Sequence, residues 1–424
     1  MASVALSKNV FAFLLFIIAL CLNFDFVLQI FAGKLVVLNF WALIPVLMVL
    51  FYVPRNLFRC DTSSITLVVC LFSLMLVASG VRNMMMVGPT GFVWGFLSYG
   101  MWLGLFLWTQ EQSPRILFKL IVSLFLFSAL LHASVALYEL LSGQALIKFV
   151  TIGPSVERRY GISFSLAVLG LQLGCGALAA LAALRLCQSL TQKVLIVLCF
   201  YLIVMALYAT AIRAPLLYLS MAAIAVTVLR YLSRVTNIVN VMLVAALIIV
   251  SAIVLDRMGE VNLNFVGSAF ELSDTGNMGR LDRYSASISL LTKNWWAPIF
   301  GYGPAMLTQI PVSFGLEDFG TESSALKIVL EIGALGVLPL MIHVSVLSVR
   351  LFGPDGLAII KANIEAFAMM AFVALECLTS EIFKSWIGSF YFVLVLGLVT
   401  RLTLFPQKAD VEDRSPDRRF KSRI

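Results

Sequence analysis

Apolar runs of roughly 17 to 25 residues recur from one end of this 424-residue chain to the other, and a run of that length wound as a helix crosses a hydrocarbon layer about 30 Å thick. Inside such a layer the backbone has no water to bond to, so only helices and closed barrels are viable. A barrel would show short segments of alternating polarity, and this chain has continuous apolar runs instead. Hydrophobic residues make up 61% of the chain and charged residues 12%, against about 25% charged in soluble domains. The expected fold is an all-α polytopic membrane protein in a single membrane domain over residues 1–404. Twelve spans are expected, at roughly 9–31, 35–53, 65–85, 91–109, 117–141, 162–184, 192–211, 214–231, 236–255, 324–349, 357–377 and 382–404.

Loop charge orients these spans. Lys8, Arg55, Arg59, Arg115, Lys119, Arg185, Lys193, Arg230, Arg234, Arg350 and Lys361 fall on one side of the alternating spans, with more Lys and Arg from Arg401 onward. Lys and Arg accumulate in cytoplasmic loops, so both termini are expected inside and the long interruption at 256–323 outside. The first span lacks a small-residue cleavage site and reads as an uncleaved helix. The mixed-charge tail, 405–424, reads as a disordered end touching anionic headgroups. The net charge of +8 comes largely from inner loops and tail, and no basic, aromatic-studded module for nucleic acid is present. Seven cysteines are scattered without a CxxC or Cys/His cluster, so neither a disulfide framework nor a zinc site is indicated. His132 and His343, in mid-span, read as packed, hydrogen-bonded helix histidines.

The 256–323 interruption carries most of the polar chemistry. Leu281, Tyr284, Ile288 and Leu291 recur at spacings of 3, 4 and 3, which predicts a helix after the turn signals of Asp274-Thr275-Gly276-Asn277. An amphipathic helix followed by Trp295-Trp296 suits the membrane surface. Arg280 and Arg283 lie on one face of that helix. Thr321 or Ser323 is a candidate cap for the next span, with Glu322 in its first turn. Arg213, in the short reversal Ala211-Ile212-Arg213-Ala214-Pro215, is a cation at membrane depth, which marks a functional candidate by default.

Two or three guanidinium groups beside a membrane match a lipid diphosphate bidentately, and a carboxylate at a helix entrance suits a base. Each group has an ordinary alternative. Arg280 and Arg283 would also pair with Asp282, Asp274 or lipid phosphate, Arg213 would snorkel to the interface, and Glu322 would serve the helix dipole. Arg158 and Arg159, in the outer loop 142–161, suit a solvated loop equally well. Lys327 and Glu331, at i and i+4, read as an ion pair within one span. Glu365, Glu376 and Asp25 have no partner evident in the sequence.

The segments Gly279-Arg280-x-x-x-Tyr284, Trp296-Ala297-Pro298-Ile299-Phe300-Gly301-Tyr302-Gly303, Thr321-Glu322-Ser323-x-x-Leu326 and Glu331-Ile332-Gly333-x-x-Gly336 follow one another in this order. Together with Thr210-x-x-Arg213 they resemble the O-antigen polymerase and ligase superfamily. The resemblance covers roughly residues 155 to 340 by motif and the whole chain by span count. It implies a GT-C-like, metal-independent, inverting glycosyltransferase of the bacterial inner membrane, without a cofactor. Its donor would be an undecaprenyl-diphosphate-linked oligosaccharide presented on the periplasmic face, and a chain-length regulator and a flippase are the partners it implies. Arg280 and Arg213, with Arg283, would bind the diphosphate, and Glu322 would be the catalytic base where ligases carry histidine. Arg159, Trp296 and Tyr302 would contact glycan or lipid. The acidic residue favours the Wzy-type polymerase branch over the ligase branch. A flippase or other transporter is the alternative from another class, and it would be expected to show internal repeats and broken helices.

Overall fold

The computed structural model describes residue 99 and residues 104–144, 165–210, 212–231, 275–303, 323–384 and 386–405. The first three expected spans, the ninth and the tail lie outside these residues. All regular structure among the described residues is helical: α1 (Pro114–Ser142), α2 (Leu166–Leu186), α3 (Leu190–Ala209), α4 (Arg213–Tyr231), α5 (Thr275–Lys293), α6 (Ala297–Phe300), α7 (Ser324–Leu351), α8 (Gly356–Ala362), α9 (Ile364–Thr379), a 3-10 turn (Ile382–Lys384) and α10 (Trp386–Leu404). Five of these helices are long and apolar enough to cross a membrane, or six if the bent pair α8–α9 counts as one. The chain is thus a membrane protein of the helical class, and expected spans five, six, seven, ten and twelve correspond to helices.

Local chemistry sets the ends. Ser113 caps α1, its hydroxyl accepting from the Ile116 amide, Pro114 opens the helix and Gly143 closes it at φ 64°. These are the polar cap, pre-set proline and left-handed glycine that helix ends favour. Between α2 and α3 the reversal is tight because Ser189 and Gln192 form a reciprocal capping box. α3 ends at Ala209 and α4 begins at Arg213, as close a reversal as the sequence implied.

α2 is the hub. It packs against α1, α3, α4 and α9, and small residues permit the approach. A side chain at Gly176 would collide with Ala129 of α1, one at Gly174 with the Phe372 ring of α9, and one at Gly170 with Pro215 of α4. Close backbone approach over small residues is how helices gain dispersion energy in lipid, where hydrophobic expulsion is absent. α10 is enclosed to a similar degree and stacks Tyr391 on Phe125 of α1, ring centroids 4.1 Å apart. His343 behaves as expected: it is buried, its Nε2 lies 2.9 Å from the Thr400 hydroxyl and its ring meets Phe106 edge-on. His132 is buried as well.

Two expectations need correction. The eleventh span, expected as one helix over 357–377, is broken: α8 and α9 meet at 92°. Asn363, outside helical geometry at φ −131° and ψ 33°, takes the bend, and its side-chain Nδ2 donates to the Ile359 carbonyl. α9 alone is about 24 Å long at 1.5 Å per residue. The expected eighth span, by contrast, corresponds to a helix: α4 runs for 19 residues over Arg213–Tyr231. Glu365 has a neighbour after all. It sits in the first turn of α9, where the helix dipole favours an acid, and 3.8 Å from Arg185, whose guanidinium also donates to the Ala362 carbonyl at 2.8 Å.

The helix ends sort into two groups. At one end Arg185 meets the α8–α9 bend and Arg401 donates to the Gln112 carbonyl before α1; the expected inner cations Arg115, Arg350 and Lys361 belong to the same end by chain direction. The other end holds the starts of α4 and α7 and the close of α9. Replacing Gly176 by leucine should wedge α1 from α2 and cost about 1–3 kcal/mol or more, as overpacking does. The reading is the melting temperature in detergent, and an unchanged value would contradict the close α1–α2 contact.

Candidate functional site

Three separate stretches of sequence are hydrogen-bonded to one short segment, the close of α9. From α7, the Ser323 hydroxyl donates to the Cys377 carbonyl at 3.3 Å while accepting from the Leu326 amide as N-cap. The next residue deepens the joint: the Ser324 amide and hydroxyl both reach the Ser380 carbonyl, at 3.2 and 3.0 Å, and the Phe383 amide donates back to the Ser324 hydroxyl. From α4, the Tyr218 hydroxyl donates to Thr379 Oγ1 at 2.9 Å. From α5, the Tyr284 hydroxyl reaches the Leu378 carbonyl at 3.4 Å. The carbonyls at the end of α9 have no partners within their own helix, and these neighbours supply donors to several of them.

The candidate cations lie on the converging elements. Arg213 and Arg280 are described by their backbone: Arg213 opens α4, five residues before Tyr218, and Arg280 lies in α5 one turn before Tyr284, on the same side of the helix. Arg283 is exposed on α5. Glu322 and Arg159 lie outside the described residues. Because Ser323 is the cap, Glu322 stands one position before it in sequence rather than in the first turn of α7. The expectation that Glu322 serves the helix dipole from within that turn is therefore corrected.

α7 is interrupted. Gly333 adopts φ 67° and ψ 179° inside it, which releases carbonyls of the preceding turn from the helical ladder. The Gly301–Gly303 stretch collects them: the Tyr302 amide donates to the Leu330 carbonyl at 2.7 Å and the Gly303 amide to the Glu331 carbonyl at 2.8 Å. Two glycines make the contact possible. Gly301 is also at positive φ, and a Cβ on it would strike the Glu331 carbonyl, as one on Gly333 would strike the Ile299 carbonyl. Tyr302 then ties the loop to α5, its hydroxyl donating to the Leu290 carbonyl at 2.7 Å and its ring meeting Trp296 at 5.2 Å. Trp296 and Tyr302 thus brace the α5–α6–α7 junction, whereas Trp295 is 81% exposed.

The expected apolar stripe of α5 divides in two. Tyr284 and Leu291 are half-buried and Ser287 is buried, while Leu281, Ile288 and Trp295 stay exposed at a seven-residue spacing. The helix is as expected, but packing claims one half of its stripe and leaves the other outward.

Polar residues of the first half of α7 form a buried stripe at helical spacing: Ser324, Lys327 and Glu331. The expected pairing of Lys327 with Glu331 is corrected, for each has a partner on another element. Lys327 Nζ lies 3.4 Å from Glu381 Oε1, just beyond α9, and the Tyr99 hydroxyl donates to Glu331 Oε2 at 2.5 Å. Sequence reasoning missed Glu381. Its one available signal was a Ser-Glu pair between two apolar runs.

No model of a known protein family matches the chain, and no curated protein shows significant similarity to it. Gly333→Ala forces a side chain into a region essentially reserved for glycine, at about 1–3 kcal/mol for the backbone alone, and adds the collision with Ile299. Tyr302→Phe, which removes one hydrogen bond, should cost only about 1 kcal/mol. Equal melting temperatures for the two variants would refute the glycine-to-glycine joint.

Proposed function

We propose that this protein is a membrane glycosyltransferase, a polysaccharide polymerase that joins undecaprenyl-diphosphate-linked repeat units on the periplasmic face of a bacterial inner membrane. The observation that carries the reading is the convergence on the close of α9 of the elements bearing Arg213 and Arg280 and of the start of α7, which Glu322 precedes in sequence, in a protein otherwise built for lipid. The order of the Gly279-Arg280, Trp296–Gly303, Thr321-Glu322-Ser323 and Glu331–Gly336 segments supports it from the sequence.

The chemistry follows from the groups. A hydroxyl of the acceptor sugar attacks the anomeric carbon of the donor from the face opposite the diphosphate. The new carbon–oxygen bond forms as the bond to undecaprenyl diphosphate breaks, and its electron pair leaves with the diphosphate. Charge therefore grows on the leaving group, where fixed arginines stabilise it more than they stabilise the ground state. Arg213 and Arg280, with Arg283, fill this role, and Glu322 accepts the hydroxyl proton. Inversion at the anomeric carbon follows from direct displacement. The histidine-bearing ligase branch differs in acceptor, and Glu322 is what separates this chain from it.

A transporter of lipid-linked oligosaccharide is the second reading, favoured by one observation: α7 is a discontinuous helix, as transporter helices often are. Against it, the amides of Tyr302 and Gly303 already occupy carbonyls freed by that break, which leaves those oxygens committed to the protein.

Arg213→Ala and Arg280→Ala should abolish polymer while the protein still inserts in normal amounts. Full-length polymer from both would remove the diphosphate role. Glu322→Gln should lower turnover by about 10²-fold or more, the range of general base catalysis, with donor binding kept. A deletion strain should accumulate single repeat units outside the membrane, whereas their absence outside would select the transporter.

A further inference from the structure

The Lys327–Glu381 pair is unusual in its setting. Lys327 is 2% exposed within an apolar helix, and an ammonium taken out of water is expensive unless its donors are well used. Its three N–H donors have a single acceptor among the described residues, Glu381 Oε1, at 3.4 Å. Charge-assisted bonds of this kind close to about 2.7–2.9 Å. The buried pair is longer than that range, and in that sense loose.

Its position gives the looseness a use. Lys327 lies one turn inside α7 from Ser323, and Glu381 follows Ser380, so both charges adjoin the joint where Ser323 and Ser324 meet Cys377 and Ser380. The elements carrying Arg213 and Arg280 reach the same segment through Tyr218 and Tyr284. A lysine ammonium is a compact charge on a flexible four-carbon stem, free to exchange one carboxylate for a better anion close by.

We infer that Lys327 is a further diphosphate-binding residue of this site, held by Glu381 until the lipid diphosphate arrives. The inference rests on the reading given under Proposed function and extends it. When donor binds, Lys327 turns from Glu381 to a diphosphate oxygen. Glu381 keeps the ammonium neutralised while the site is empty, and Lys327 adds a cation from α7 to those on α4 and α5.

The test uses the full chain in lipid nanodiscs, with undecaprenyl diphosphate as ligand and undecaprenol as the uncharged control. In the double variant Lys327→Met with Glu381→Gln both charges are gone, so a merely structural pair would be silenced without consequence. It is expected to melt near the wild-type temperature and bind undecaprenyl diphosphate at least tenfold more weakly, with undecaprenol binding unchanged. Wild-type affinity in the double variant overturns the inference. If that variant does not fold, the exchange Lys327→Glu with Glu381→Lys keeps a bridge while moving the cation, and the same tenfold loss is expected from it. Inorganic pyrophosphate is expected to bind the wild type far more weakly than the lipid; equal affinity would make the ligand a free diphosphate and overturn the lipid assignment. Failure of the wild type to prefer undecaprenyl diphosphate over undecaprenol would instead refute the function proposed above. Loss of that preference in Arg213→Ala, with the Lys327 double variant intact, would refute the Lys327 assignment alone.

Discussion

A helix interrupted within a membrane protein has to pass its released carbonyls to donors elsewhere, because lipid offers none. In α7 the donors are the amides of Tyr302 and Gly303, and that exchange governs much of the surrounding structure. It works only if two backbones touch, which is why glycine stands at both 301 and 333. It also attaches α5 and α6 to the bundle, since Tyr302 carries the connection on to Leu290 and Trp296. The second joint, between the start of α7 and the close of α9, uses the same economy. Ser323 and Ser324 meet the orphaned ends of one helix with the orphaned beginning of another.

Both joints engage main-chain atoms exposed at helix breaks and ends, and this decides what could be read from the chain beforehand. Apolar run length is a property of each segment alone, so α1, α2, α3, α7 and α10 were legible. The helix over α5 was legible from its 3–4 spacing. The break at Gly333 was not, because apolar residues continue on both sides of it and glycine within a span has many uses. The bend at Asn363 was hidden for a related reason: its cause is geometric, and Arg185, which donates to the neighbouring Ala362 carbonyl, lies far away in the chain.

Charges followed the same division. Spacing of four residues favoured Lys327 with Glu331, as it would on an isolated helix. Packing set the two against different neighbours, Glu381 and Tyr99, since a buried face offers each group partners from other helices. Of the candidate site, the cations and the acidic residue were legible as exceptions in a greasy chain. The convergence of α4, α5 and α7 on Cys377–Ser380 was not, because little in that stretch looks different from an ordinary span end.

The joint between α7 and α9 has a consequence for biogenesis. Ser323, Ser324 and Lys327 find their acceptors 54 to 56 residues further along, so those acceptors are still unsynthesised when α7 first leaves the ribosome. Until then the start of α7 carries two serines and a lysine whose acceptors have not yet been made. Such a segment is a poor passenger for hydrocarbon on its own, and it settles in the bundle only after α9 has been made and returned to meet it. The order of translation thus leaves this end of the protein to be assembled among the last.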